Sequence, residues 1–367
     1  MSNILSYLDE HGDISLLQSE FNEVDNLILS YLSYIDLDEI VPSINLNSYV
    51  TVEKASEIFF SKHEEEEIIS AILKAMAKGK RFKNAKLSGY VNQVDDEKQF
   101  AAICIELEDK TMYVSFRGTD NKIMSWHEDF KMSYEIIPSQ KEAVIYLENA
   151  MRRTDKYIRL GGHSKGGNLA IFAGALCQSD MKNRIIEIYN NDGPGFTKKT
   201  LKNMHIEDIK SKIRLFTPQY SVFGMLFNVV GKHIIVKSSK KGIMQHDGMS
   251  WNISGMSFHR GKSLEKRSQL LSKILNNWID DIKVDERKMF TKVIFKAINE
   301  MGISNMMDIL NNKDKKIVNM IKKMRPFEKN TRSIIARLAK SFLSIYASEM
   351  TYPIISRLFA NASLFYN

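Results

Sequence analysis

Residues 157–176 read YIRLGGHSKGGNLAIFAGAL and are the most informative segment of the chain about its fold. YIRL has the composition of a short β-strand, and GGNLAIFAGAL that of a helix with small residues on one face. Ser164 lies between the two, directly after His163 and flanked two positions away by Gly162 and Gly166. The stretch therefore predicts a strand, a sharp turn at the serine, and a helix.

A Gly-x-Ser-x-Gly turn between a strand and a helix is typical of the nucleophile elbow of α/β-hydrolases. The serine of such an elbow occupies a strained turn, and glycines flank it because a side chain there would strike the neighbouring strand or helix. The alternative is a glycine-rich turn with an exposed serine and no chemistry. The predicted strand and helix around Ser164 favour the nucleophile.

Further strands and helices alternate around the elbow. The segments 99–107 and 111–117 are rich in β-forming residues, and 123–153 is helix-like. Downstream, RIIEIYNND, KIRLFTP and KHIIVKSS each predict a strand. The alternation predicts an α/β fold, and with the elbow an α/β-hydrolase fold with a mostly parallel central sheet.

Helical periodicity dominates both ends of the chain. We expect a hydrolase domain over residues 1–260, made of N-terminal helices (1–80) and a catalytic sheet core (81–260). A basic helical C-terminal extension would follow at 261–367. We expect this extension to pack on the sheet domain, since no flexible linker is apparent.

The net charge of +8 is unevenly distributed. Residues 261–367 carry 20 Lys and Arg against 10 Asp and Glu, so the first 260 residues sum to −2. Such a basic segment suits a solvated helical face, and it also suits a membrane surface or a nucleic acid. No helix-turn-helix, zinc-ligand spacing or aromatic RNA-binding signature accompanies the charge, so we expect no nucleic-acid partner.

Two further features bear on localisation. The chain begins without the charged and apolar regions of a signal peptide, and it has no long apolar span. Cys104 and Cys177, its two cysteines, lie in apolar stretches and are expected to be buried free thiols. Together these features predict a cytoplasmic protein.

A nucleophilic serine needs a general base, and in this fold the base comes late in the chain. The downstream candidates are His205, His233, His246 and His259. His233 begins a predicted strand, and His259 lies at the start of the helical part. His246 lies in a loop after the last predicted strand, where a base reaches the elbow, so we favour His246.

The acid that orients the base is expected between the serine and the histidine in chain order. Its usual position follows the strand KIRLF, but the sequence there, TPQYSVFGML, has no carboxylate. Asp247 is adjacent to His246, and neighbours in sequence rarely form the orienting hydrogen bond. By elimination we select Asp192, which directly follows the preceding strand, although DGPG also suits a plain turn.

Developing negative charge on a tetrahedral intermediate needs an oxyanion hole. The residue after the nucleophile, Lys165, is expected to supply one backbone N–H. The second donor is expected from the loop after an earlier strand, and Thr119, at the end of YVSFRGT, is the candidate.

Two motifs resemble those of class 3 (fungal-type) lipases. MYVSFRGTDNKIMSWHEDF, from residue 112, is similar to their strand, Arg-Gly-Ser/Thr oxyanion element and tryptophan-bearing lid. GGHSKGGNLA, from residue 161, is similar to their Gly-His-Ser-x-Gly-Gly elbow. Together they resemble a largely uncharacterised group of bacterial lipase-like α/β-hydrolases, over about residues 80–260.

The resemblance implies roles for several residues. It implies Ser164 as nucleophile, Thr119 and Lys165 as oxyanion donors, Trp126 in a lid or substrate-binding segment, and His246 as the late histidine. The chain departs from the family at the acid, which would fall near Ser221. Pancreatic-type lipases carry their acid after the earlier strand, in a turn similar to DGPGF here.

We therefore expect a serine hydrolase, a lipase or esterase that cleaves a lipid or small acyl ester through an acyl enzyme. It would need no metal or organic cofactor. The basic C-terminal helices would make peripheral membrane contact. The alternatives are a thioesterase, acyltransferase or peptidase on the same triad, or a catalytically silent hydrolase fold that binds a partner.

Overall fold

The computed structural model describes residues 2–43, 48–63, 69–95, 98–119 and 123–300. Inside the helices, the side chains at 123–126, 293, 294 and 297–300 are not described. The glutamate-rich residues 64–68, and most of the predicted C-terminal extension, therefore lie outside the described residues.

Eight strands form one sheet in which each strand pairs with its neighbour in the chain. They are β1 (Val50–Thr51), β2 (Lys86–Val94), β3 (Gln99–Glu106), β4 (Met112–Phe116), β5 (Ile158–His163), β6 (Ile185–Asn191), β7 (Ile213–Pro218) and β8 (His233–Val236). Strands β1 to β4 pair antiparallel, and β4 to β8 pair parallel. The predicted α/β architecture with a mostly parallel sheet is confirmed.

The described part of the chain also forms α-helices. They are α1 (Ile4–His11), α2 (Glu23–Leu32), α3 (Val52–Lys62), α4 (Ser70–Lys78), α5 (Ile123–Lys131), α6 (Pro138–Arg152), α7 (Lys165–Leu176), α8 (Ser179–Lys182), α9 (Lys198–Asn203), α10 (Lys266–Asp281) and α11 (Val284–Glu300). A small hairpin of β9 (Ile253–Ser254) and β10 (Ser257–Phe258) follows the sheet.

Two apolar cores lie on opposite faces of the sheet. One core joins the N-terminal helices to the sheet, and α2 contacts β4 and β5 directly. The other core lies under α6 and α7, with α7 against β4, β5 and β6. Every residue of α2 from Val24 to Leu32 is buried, so this helix is part of the interior.

Sequence periodicity did not indicate β2. Its register with β3 shifts between Ser88 and Val91, next to Gly89, whose φ is +63°. A bulge of this kind breaks the two-residue alternation by which strands are recognised. The helix-like segment 123–153 is two helices, and Pro138 occupies the first turn of the second one, where its missing N–H leaves no helical hydrogen bond unmade.

The described chain divides into two compact units. The first comprises residues up to 119 and 136–268, and it contains the whole sheet. Of the described residues, the second combines 123–135 with 269–300; within it α5 contacts α11, and the His127 ring lies 4.7 Å from that of Phe295. No helix in the described part is long and apolar enough to cross a membrane.

Candidate active site

The serine turn has the strained backbone of an elbow. Ser164 lies between the end of β5 and the start of α7, with φ of 56° and ψ of −130°. Non-glycine residues rarely adopt this conformation, and it persists only where the surroundings enforce it. A Cβ at Gly162 would lie 2.4 Å from the backbone of Gly166, and one at Gly166 would lie 2.1 Å from the carbonyl oxygen of Phe116. The strand and helix therefore approach too closely for any other residue at these two positions.

Asp192 lies immediately after β6, fully buried, with φ of 55°. Its backbone N–H donates to the carbonyl of Phe216 at 2.8 Å, which holds it level with the end of β7. Its Oδ2 accepts a hydrogen bond from Nδ1 of His246 at 2.7 Å, and its Oδ1 accepts one from the Ser221 hydroxyl at 2.5 Å. Burial raises the pKa of Asp192, and the bonds from His246 and Ser221 oppose that rise.

His246 ends the short 3-10 turn Gly242–His246, and its side chain is 21% exposed. Since Nδ1 donates to Asp192, the proton of the neutral ring lies on Nδ1 and Nε2 is left as the basic atom. Behind the turn, the indole N–H of the fully buried Trp251 donates to the carbonyl of Gln245 at 2.9 Å. The position of His246 is thus set from two sides.

His163, the residue directly before Ser164, ties the His246 segment to the elbow. Its Nε2 donates to the backbone carbonyl of His246 at 2.6 Å, and the two ring centroids lie 4.7 Å apart. On its other side it stacks on Tyr31, at 5.6 Å between centroids. Burial, with a smaller contribution from the charge of His246, lowers the pKa of His163 to about 3. His163 is therefore neutral at physiological pH and acts as a fixed hydrogen-bond donor.

Gly118 brings the predicted oxyanion element against the nucleophile. A Cβ at Gly118 would lie 2.3 Å from the carbonyl of His163 and 3.2 Å from Cβ of Ser164. Thr119 follows directly, and Lys165 is the first residue of α7 on the other side of the serine. The buried side chain of Lys165 runs back to the carbonyl of Gln99, at 3.2 Å, so its charge points away from the elbow.

A buried polar network that was not predicted from the sequence supports the elbow. The Ser164 N–H donates to the carbonyl of Asn191 at 2.9 Å. The Asn191 side chain accepts a hydrogen bond from Asn26 of α2 at 2.9 Å and donates to the carbonyl of Gly162 at 3.2 Å. Tyr113 donates to Asn26 at 2.8 Å. Asn26 and Ser30 of α2, and Ser33 directly after it, are polar and spaced four and three residues apart, and this spacing was the available signal.

The DGPG turn after β6 is also held by side chains. Asn168 of α7 donates to the carbonyls of Pro194 and Gly195 at 3.0 and 2.9 Å. Gln140 of α6 donates to Asn168 at 2.8 Å. These buried amides fix the turn that carries Asp192.

The remaining candidates make other contacts. His233 lies 2.8 Å from the Thr217 hydroxyl, and His259 lies 3.2 Å from the Lys237 ammonium. Asp247 pairs with Lys240 at 2.6 Å. Trp126 belongs to α5, but its side chain lies outside the described residues.

No group of three His, Cys, Asp or Glu side chains in the described part of the chain is placed to share a metal ion.

Comparisons with known proteins give a family. A search of curated proteins finds no match to the chain. Among solved structures, it is similar to a Rhizomucor miehei lipase propeptide complex, with 13% identity, 57% of this chain and 67% of that chain covered, and a TM-score of 0.36. A TM-score this low does not define a fold, so the architecture rests on the strand order described above. The model of the family described as Mbeg1-like matches residues 76–296, which include the elbow, Asp192 and His246, and the chain belongs to this Mbeg1-like family.

Proposed function

We propose that the protein is a serine hydrolase of the α/β-hydrolase type that cleaves a carboxylic ester, as a lipase or esterase. The observation that carries the proposal is the coupling of three elements. Ser164 occupies a strained elbow, His246 donates to the buried Asp192 at 2.7 Å, and the residue before the serine binds the backbone of His246 at 2.6 Å. The resemblance of the elbow and the Arg-Gly-Thr element to class 3 lipases supports the ester as the substrate class.

In this mechanism Ser164 Oγ attacks the ester carbonyl. His246 Nε2 takes the hydroxyl proton and returns it to the leaving alcohol, while Asp192 stabilises the imidazolium that forms. The backbone N–H groups of Thr119 and Lys165 stabilise the oxyanion. Water then attacks the acyl enzyme by the same route and regenerates the serine.

Burial of Asp192 serves this chemistry. A carboxylate with no solvent around it interacts more strongly with the developing imidazolium than an exposed one. His163 contributes no competing base at neutral pH, because burial lowers its pKa to about 3. The proposed mechanism therefore assigns the base to His246 alone.

The test is labelling of the purified full chain with a fluorophosphonate, followed by peptide mass spectrometry. We expect the label on Ser164 in the unaltered protein and none in Ser164→Ala or His246→Ala. His259→Ala is the matched control, because that imidazole contacts Lys237, and it should label normally. An unlabelled protein, also in the presence of detergent or liposomes, would reject hydrolysis and favour a silent fold that binds a partner.

Substrate class is tested separately. A panel of oxygen esters, thioesters and amides with equal acyl chains separates an esterase from a thioesterase or peptidase. We expect the highest kcat/KM with oxygen esters. Preference for thioesters, or for transfer to an alcohol over hydrolysis, would assign one of the alternatives.

A further inference from the structure

An apolar pair marks the surface beside the candidate site. Ile243 and Met244 are 42% and 43% exposed, and they are the only adjacent pair of large exposed apolar side chains in the described part of the chain. They lie in the same 3-10 turn as His246, two and three positions before it. They are therefore close in the chain to the candidate base.

The exposure is imposed by the structure. Gln245, the next residue, is buried and holds the turn, because its side chain accepts from the N–H of Tyr220 at 2.9 Å and donates to Glu265 at 3.1 Å. Gly242 begins the turn with φ of 56°, and no atom lies within 4 Å of the place its Cβ would take. Ile243 and Met244 are thus presented outward by an anchored turn. Because the turn is already ordered, binding through these side chains requires no further ordering of its backbone.

Exposed cations occur in the segments next to the apolar pair. Two segments contribute them: residues 240–241, directly before the turn, and residues 262–267, which the Gln245–Glu265 hydrogen bond joins to the turn. The exposed cations without an ion-pair partner among the described residues are Lys241, Lys262, Lys266 and Arg267. Lys240 is also present but pairs with Asp247 at 2.6 Å. With Lys240 the two segments contain five Lys or Arg; the carboxylates in or next to them are Asp247 and Glu265, and both are already hydrogen-bonded.

Exposed apolar side chains together with exposed cations indicate which kind of partner can bind. An acidic protein or a nucleic acid would engage the cations, but it would leave two large aliphatic side chains without an apolar counterpart. A bilayer containing anionic lipids takes both, because apolar side chains insert at the level of the headgroups while Lys and Arg meet the lipid phosphates. We propose that residues 240–244 together with 262–267 form a docking surface for a membrane rich in anionic lipid.

Docking there would place His246 and Ser164 at the bilayer surface. The benefit of this placement, delivery of an ester from the lipid phase, rests on the proposed hydrolysis. The membrane binding itself does not depend on hydrolysis. The surface lies within the unit that contains the sheet, and its residues 262–267 are the first part of the predicted C-terminal extension.

The experiment is co-sedimentation of the full chain with phosphatidylcholine vesicles that contain or lack phosphatidylglycerol, at low and high salt. We expect binding only with phosphatidylglycerol, and weakening by salt. Ile243→Ser with Met244→Ser should reduce the partition coefficient about twentyfold, as burial of two half-exposed side chains implies. Lys241→Glu should reduce it about tenfold at low salt.

Matched controls carry the same changes elsewhere. Ile145→Ser alters an apolar side chain that is 53% exposed on α6, and Lys80→Glu reverses an exposed charge after α4; both should bind as the unaltered protein does. Unchanged melting temperatures show that each variant is folded.

Three outcomes would overturn the proposal. The first is a failure of the vesicle assay: no binding, equal binding with and without phosphatidylglycerol, or binding that the Ile243/Met244 change leaves unaltered. The second is heparin binding that depends on Lys241 without vesicle binding, which would assign a polyanion. The third is a dimer in light scattering that dissociates in the Ile243/Met244 variant, which would assign a second copy of the chain. Vesicle binding without fluorophosphonate labelling would reject the hydrolase while leaving the surface in place.

Discussion

Replacing Asp192 by asparagine tests the site most directly. The asparagine Oδ1 can still accept from Ser221, but its amide can only donate to Nδ1 of His246. The histidine proton must then move to Nε2, where the ring no longer accepts the Ser164 proton. We expect Asp192→Asn to keep the fold and lose most of the nucleophilicity.

The size of the loss follows from the 2.7 Å separation of Asp192 Oδ2 and His246 Nδ1. At an effective dielectric constant of about 20, unit charges this far apart attract by about 6 kcal/mol, equivalent to about four decades in rate. Because both charges are spread over two atoms, the interaction is smaller than this limit. We expect kcat/KM to fall by about 10³ to 10⁴.

Asp192→Asn should not lose thermal stability along with its activity. Burial raises the pKa of Asp192, so the folded state holds the carboxyl proton more tightly than the unfolded state does. The stability linked to this group is fully present below the unfolded pKa and is lost as pH rises through the folded pKa. At neutral pH the folded protein therefore bears the desolvation of a buried carboxylate, and Asp192→Asn removes it. The melting temperature at pH 7 should be unchanged or higher.

The assay combines the second-order rate of fluorophosphonate labelling at Ser164, hydrolysis of p-nitrophenyl butyrate, and thermal melting. Asp247→Asn is the matched control, because Asp247 is adjacent to His246 but pairs with Lys240. It should retain labelling within about threefold, since asparagine also caps the following turn well. Normal labelling in Asp192→Asn, with loss in Asp247→Asn, would refute the assignment of the acid.

Three further changes probe the supports of the site. His163→Gln keeps an N–H donor but cannot titrate. Because the pKa of His163 in the folded protein, about 3, lies below the usual 6.5, the free energy of unfolding of the unaltered protein should fall by up to about 1.4 kcal/mol per pH unit more than that of the variant as pH falls between these two values. Urea unfolding measures this difference. Gly118→Ala would place a Cβ 2.2 Å from the Tyr34 hydroxyl and 2.3 Å from a backbone carbonyl, so labelling should fall about 100-fold; adding Tyr34→Phe should not restore it. Arg81→Met leaves the fully buried Asp25 without its ion-pair partner and should destabilise by about 3 to 5 kcal/mol, lowering the melting temperature by about 10 °C; an unaltered melting curve would contradict this expectation.

Much of the sheet could be predicted because its parallel strands are short, apolar and separated by helices. Strands β3 to β8 each correspond to a β-rich run in the sequence. The bulge at Gly89 hides β2, and β1 has only two residues, too few for any periodicity. Local patterns indicate strands only where the side chains alternate or form an apolar run, and the antiparallel edge does neither.

The site residues likewise divide into those that the local sequence indicates and those that it does not. Ser164 and its glycines are indicated locally, because the elbow is a single turn. Asp192 and His246 come from chain order and elimination, and both stay predictions as catalytic groups until the variants are measured. The bond from His163 to the carbonyl of His246 has no signal in sequence, since it joins residues 83 positions apart through a backbone atom.

The absence of a carboxylate after β7 has a structural explanation. Strands β6 and β7 run parallel, with Asn191 opposite Phe216, so the residue after β6 already lies beside the end of β7. The loop after β7 is shaped around that residue. Ser221 donates to Asp192 Oδ1, and a Cβ at Gly224 would lie 2.2 Å from the same oxygen. An aspartate at Ser221 would therefore place a second carboxylate against the first, and their repulsion would disfavour ionisation of both. One buried acid fits this edge of the sheet, and the preceding strand supplies it.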